Sequence, residues 1–126
     1  MKNKINTLIG ADISIIGDFF YEGTVHVEAS IEGSLVAYKD KKSKLFINKS
    51  SVITGSVDGT DVAINGTVYG NVYVYSLLQL GSDAFIKGNI YYKFIEMEVG
   101  AKIDGRLVIC STNEELDQIK IDIESK

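Results

Sequence analysis

Hydrophobic positions recur along the chain in one short phrase, an apolar residue two before a glycine and another two after it. It reads Ile15-Ile16-Gly17-Asp18-Phe19, Ile31-Glu32-Gly33-Ser34-Leu35 and Ile53-Thr54-Gly55-Ser56-Val57. It returns as Val68-Tyr69-Gly70-Asn71-Val72, Ile86-Lys87-Gly88-Asn89-Ile90 and Ile103-Asp104-Gly105-Arg106-Leu107. The glycines stand 16, 22, 15, 18 and 17 residues apart. Self-similarity at so short a period marks a stacked-repeat architecture, in which no unit buries its apolar face alone. Function is then to be sought on surfaces rather than in a pocket.

Between the phrases, apolar and polar residues alternate, as in Val25-His26-Val27-Glu28-Ala29 and Ile95-Glu96-Met97-Glu98-Val99. Period two predicts strands of three to five residues, with one set of side chains turned inward. Asp58-Gly59 and Asn65-Gly66 are hairpin-type pairs, but a hairpin meander gives no reason for a recurring glycine phrase. A parallel coil with about three strands per turn does. Each turn would then stack on the last at about 4.8 Å, pairing its backbone with the next. Parity predicts two inward columns, Ile15, Ile31, Ile53, Val68, Ile86, Ile103 and Phe19, Leu35, Val57, Val72, Ile90, Leu107. The turn glycines Gly17, Gly33, Gly55, Gly70, Gly88 and Gly105 between them are expected at a corner, where a side chain would crowd the narrow interior. Asn48 and Gly81, each seven residues before a phrase glycine, are residue types that tolerate a left-handed backbone. The longest spacing holds an insertion from Tyr38 to Lys44, expected to protrude as a loop.

The predicted fold is all-β, a single-domain parallel β-helix of about six turns. Residues 1–6 form a short N-terminal tail, 7–110 the coil and 111–126 a C-terminal tail. Leu116, Ile119 and Ile123 in that tail have helical spacing, while Ile119, Ile121 and Ile123 alternate. A frayed tail, or a short element covering the last turn, is preferred here to a docking helix. No amphipathic helix precedes the first phrase, so the stack presents open strand edges and an apolar cross-section that invite a second copy. Ile13 and Ile15 in the first turn and Leu107 and Ile109 in the last are the expected joint residues.

The 126 residues carry 13 Lys plus Arg against 17 Asp plus Glu, a net charge of -4. That is a poor composition for nucleic acid, where affinity rests on neutralising phosphates. The basic cluster Lys39, Lys41, Lys42 and Lys44 falls in the insertion and reads as a solvated loop. The single Cys110 makes no internal disulfide, which suits a reducing cytoplasm, and is expected to be a semi-buried thiol. No signal peptide or membrane-spanning run is legible. The lone His26, between inward Val25 and Val27, points to solvent, and no cluster suggests a metal or cofactor. Asp18, Asp58, Asp61, Asp83 and Asp104 read as turn and surface residues. Tyr69, Tyr73, Tyr75 and Tyr91 or Tyr92 are expected on the outside, with Tyr73 and Tyr91 stacked in adjacent turns as an exposed ladder.

The glycine phrases, with Thr7-Leu8-Ile9-Gly10, Gly70-Asn71, Gly88-Asn89 and Leu80-Gly81-Ser82-Asp83-Ala84, resemble the bactofilins over about Thr7 to Cys110. The resemblance implies a right-handed, roughly triangular β-helix that polymerises end to end into non-polar filaments without nucleotide. It implies a non-enzymatic scaffold in the bacterial cytoplasm, often beneath the inner membrane, acting in cell shape, stalk or division-linked wall synthesis. Its partners would be further copies of itself, and peptidoglycan-modifying enzymes or the membrane proteins that position them. The chain departs from the pattern in lacking proline-rich tails, and Met1 to Asn6 offers little for membrane contact. Two other functions fit a parallel coil. A hexapeptide-repeat acyltransferase would need a strict six-residue register, and here the unit varies. A monomeric adaptor would use the outward tyrosines.

Overall fold

The computed structural model describes residues 6–39 and 41–125. The chain winds through six turns of three strands each, every pairing parallel. The first turn is β1 (Asn6–Ile9), β2 (Ser14–Ile16) and β3 (Phe19–Tyr21), and the second β4 (Gly23–Val27), β5 (Ser30–Glu32) and β6 (Leu35–Ala37). Then come β7 (Ser43–Ile47), β8 (Val52–Thr54), β9 (Val57–Ile64), β10 (Thr67–Tyr69), β11 (Val72–Leu80), β12 (Phe85–Lys87) and β13 (Ile90–Tyr92). The last turn is β14 (Phe94–Met97), β15 (Lys102–Asp104) and β16 (Leu107–Ile109).

Stacking makes three faces. The first runs β1-β4-β7-β9-β11-β14, the second β2-β5-β8-β10-β12-β15, and the third β3-β6-β9-β11-β13-β16. β9 and β11 are longer than the three to five residues expected, because each passes from the third face to the first without a break. Their two halves pair separately with their neighbours.

Both predicted columns are inward. Ile31, Ile53, Val68 and Ile86 are buried, as are Leu35, Val57, Val72 and Ile90. The first face adds Val25, Leu45, Val62 and Leu78, with Val27, Ile47, Ile64 and Leu80 beside them. Each such side chain contributes roughly 1.5–3 kcal/mol of burial, so one continuous column stabilises the stack.

Two turn expectations change. A side chain at a phrase glycine would meet not the interior but the neighbouring backbone. At Gly55, with φ 154°, an added Cβ would overlap the carbonyl of Gly33 one turn below. Gly81 is not left-handed; its Cβ would collide instead with the Asn65 side chain. The insertion loop is shorter than expected, since Ser43 and Lys44 already belong to β7 and pair with Gly23 and Thr24.

The C-terminal segment is not frayed, and it covers the outer side of the last turn at Val108 and Cys110 together with the two turns before it. Asn113–Glu124 forms helix α1, which lies back along the outer side of the third face. Thr112 caps it by accepting from the Glu115 amide at 3.1 Å, while Glu115 accepts from the Ser111 amide at 2.7 Å. That reciprocal pair satisfies amides otherwise left open at a helix start. Leu116 is buried against Tyr73, Tyr91 and Cys110, and Lys120 donates to the buried carboxylate of Asp58.

Candidate functional site

The interior columns run out at both ends of the stack. Ile90 is fully buried, whereas its partner one turn further, Leu107, is 45 % exposed. Ile109, above half-buried Tyr92, is 62 % exposed. At the opposite end Ile13 is 48 % exposed, and Ile15 and Phe19 are half-buried. Parity turns Leu107 and Ile109 inward, so their exposure comes from the absence of a covering turn. Ile16, Leu8 and Phe20 add outward apolar surface around the first turn, and Phe94 and Val99 around the last. Among the described residues β1, β2 and β3, like β14, β15 and β16, pair on one side only, leaving rows of donors and acceptors along each rim.

A polar ladder that the sequence reading missed reaches the same rims. After four of the phrase glycines the next residue uses its side chain to hold the backbone one turn on, whereas Ser56 donates its hydroxyl back to that of Ser34 at 2.9 Å. Asp18 accepts from the Ser34 amide at 3.0 Å and Ser34 from the Ser56 amide at 3.2 Å. Asn71 accepts from the Asn89 amide at 2.9 Å and Asn89 from the Arg106 amide at 3.0 Å. The column ends on Arg106, whose side chain has donors and no acceptor. The succession Asp, Ser, Ser, Asn, Asn was the available signal, since these are short acceptors at one fixed offset.

The structure separates the candidate chemistry groups. His26 is outward and stacks on Phe46, with ring centres 4.5 Å apart and planes 8° from parallel. Tyr73 and Tyr91 do stack in adjacent turns, at 5.3 Å and 8°, but they are buried rather than exposed. The reason is α1, which covers them. Asp58, expected at the surface, is buried beneath the same helix. Cys110 is buried rather than semi-buried, and burial pushes its thiol pKa up, with the Glu115 carboxylate adding to the effect. Lys120 moves in the opposite sense, its pKa lowered by burial. Tyr69 is exposed, and Tyr75 donates to Asp117 of α1. Among the described residues no helix is long and apolar enough to cross a membrane.

The open-ended parallel coil has a counterpart among known proteins. Residues 7–108 match the family described as Bactofilin, polymer-forming cytoskeletal. The chain belongs to the bactofilin family. It is also similar to Bactofilin BacO of Myxococcus xanthus (strain DK1622), at 26 % identity over 102 residues, covering 81 % of this chain and 78 % of that protein. No solved structure matches. The family is a structural, cytoskeletal one, and its polymer-forming character implies self-association. The matched span includes Ile13, Ile15 and Leu107 and stops one residue short of Ile109, before α1 begins.

Proposed function

We propose that this chain is the subunit of a filament that grows end to end without nucleotide. In this reading the open ends are the joints, with Ile13 and Ile15 at one and Leu107 and Ile109 at the other. The filament would serve in the bacterial cytoplasm, at the inner face of the membrane, as a scaffold for enzymes and shape proteins of peptidoglycan synthesis. One observation carries the proposal: the inward columns continue unchanged to both rims and stop there half exposed. A monomer would gain from a charged or helical cap at each end, and among the described residues the one helix, α1, packs on a side face.

Electron microscopy of the purified protein without nucleotide or metal should show filaments. Ile109→Lys should stop pelleting while keeping the β circular-dichroism signal. In a joint the lysine would be an unpaired charge in a dry contact, costing on the order of several kcal/mol; in the monomer it can reach water. If like ends meet, blocking one end leaves dimers. If unlike ends meet, it leaves monomers. Filaments that pellet normally with Ile109→Lys, at intact fold, would remove this end from the joint.

A further inference from the structure

We propose that the outer side of the first face docks an extended segment of a partner protein through one arginine, whose guanidinium enters a slot between two turns of the coil. The slot lies on a flank, away from both open ends. It therefore goes beyond the filament reading and serves a free subunit as well.

Register builds the slot. His26, Phe46, Ala63, Gln79 and Glu96 stand in one outward column, one to a turn, on β4, β7, β9, β11 and β14. His26 and Phe46 stack with ring centres 4.5 Å apart and planes 8° from parallel. The ring planes thus run across the coil axis, and the second face of Phe46 looks along the column to Ala63. A methyl group cannot continue the stack, so it is interrupted there. Gln79 resumes the column two turns on from Phe46. At about 4.8 Å per turn, the gap between Phe46 and Gln79 is about 9.6 Å. A flat group touching both sides at about 3.5–4.0 Å takes roughly 7–8 Å of it. The slot is one planar group wide, and it opens into a groove of about 510 Å³ that also takes in Glu98.

Charge selects the planar group. Glu96 accepts from the Gln79 side-chain amide at 3.0 Å, which holds its carboxylate towards the slot and leaves the second oxygen for a partner. Glu98, exposed in the adjoining column, adds another carboxylate. Of the nearby cations, Lys44 stands beside Asp61 in register on the opposite flank, and Lys49 lies 3.7 Å from Asp83. The mouth of the slot is therefore acidic. A neutral ring would strip water from these carboxylates and return no hydrogen bond. An ammonium is a point charge with nothing flat to lay on Phe46. A guanidinium is planar and cationic, stacks on an aromatic face and offers a fork of donors to a carboxylate. The one arginine of this chain, Arg106, belongs to the open end of the last turn, so the side chain that fits comes from another protein. The groove is much larger than a guanidinium, which favours a peptide segment over a free amino acid.

The probe is dye-labelled acetyl-Gly-Ser-Arg-Ser-Gly-amide, titrated at low salt with wild type and with Ile109→Lys and read by fluorescence anisotropy. Both chains should bind it equally per subunit, whether or not filaments form, which keeps the slot and the filament reading separately testable. Ala63→Leu, which fills the slot from an outward position, should weaken binding at least about tenfold through loss of the ring contact and a charged hydrogen bond. Glu96→Gln/Glu98→Gln should weaken it about fivefold, as expected for exposed charges. Thr54→Leu, on the second face, should leave it unchanged. Peptides with lysine or phenylalanine in place of arginine, and free arginine amide as competitor, should each bind several-fold more weakly. Binding that survives Ala63→Leu at intact circular dichroism overturns the proposal, as does equal binding of the lysine or phenylalanine peptide. No binding to either chain overturns it too, and arginine amide binding as tightly as the peptide would refute docking of a segment.

Discussion

At the level of single residues, backbone stacking is the tightest constraint in the molecule. The glycine phrase is visible in the sequence, but the obstacle to any other residue is a carbonyl one turn away rather than the core. At Gly70 an added Cβ would overlap the Gly55 carbonyl, and φ is 159°. Neither part can relax without separating two turns. Gly70→Ala should therefore cost about 3 kcal/mol or more, read as a fall in thermal midpoint or as insoluble expression. A midpoint within a degree or two of wild type would refute the stacking argument. Tyr21 tests burial from the other side. Its hydroxyl donates to the Asp58 carbonyl at 2.7 Å, and burial pushes its pKa well above the ordinary 10.0, with a hydrogen bond to Ser43 opposing. Above about pH 10 the unfolded chain loses this proton while the folded chain keeps it, so the folded state binds more protons and stability falls as pH rises. Below pH 10 the contribution is fully present. Tyr21→Phe should flatten the loss of stability between pH 10 and 11.5, measured by denaturant titration at each pH. An unchanged slope would show that Tyr21 is not the group responsible.

Among the elements, α1 is the one whose placement departs from the sequence reading. Leu116, Ile119 and Ile123 gave a helical spacing, but a periodic stripe does not say which surface covers it. The third face supplies that surface because Tyr73, Tyr91 and Val108 stand outward in one column where a β-helix ordinarily shows polar residues. Leu116→Ala should loosen the helix by roughly 2 kcal/mol or more. The buried Cys110 thiol beneath it should then react with a soluble thiol reagent at least about tenfold faster, by the usual conversion of free energy to an opening equilibrium. No acceleration would mean that α1 does not guard Cys110. Removing residues 111–126 altogether should leave a folded β protein that still assembles, because the inward columns owe nothing to α1. Loss of the β circular-dichroism signal on truncation would show that the helix belongs to the folding unit.

At the scale of the whole molecule, the half-exposed inward columns at the two rims are where the filament reading makes its strongest demand. If a joint buries Leu107 and Ile109, folding and assembly become linked equilibria, since a partner that binds only the folded chain raises apparent stability by mass action. The wild-type thermal midpoint should thus rise by several degrees over a hundredfold increase in protein concentration. Ile109→Lys should show a much smaller rise. Equal dependence in both chains would separate stability from this end.

Much of this protein is decided by its sequence alone: the parallel coil, the number of turns, the inward columns and the position of the ends. The reason is repetition. A period of about 17 residues with strict inward parity admits one stack, and in a stack each residue's neighbour is the residue one period away. Tyr73 and Tyr91 could be paired on that rule before any coordinate. Their burial could not, nor that of Asp58 and Cys110, because the segment covering them lies outside the repeat and follows no period. The polar ladder after the glycines was legible in residue type but needed the register to become a set of bonds. A shallow groove on the outer side of the first face depended on more still, since its dip at Ala63 exists only with Phe46 and Gln79 placed on either side. Periodic contacts follow from spacing; contacts between a repeat and what lies outside it are settled only by the fold.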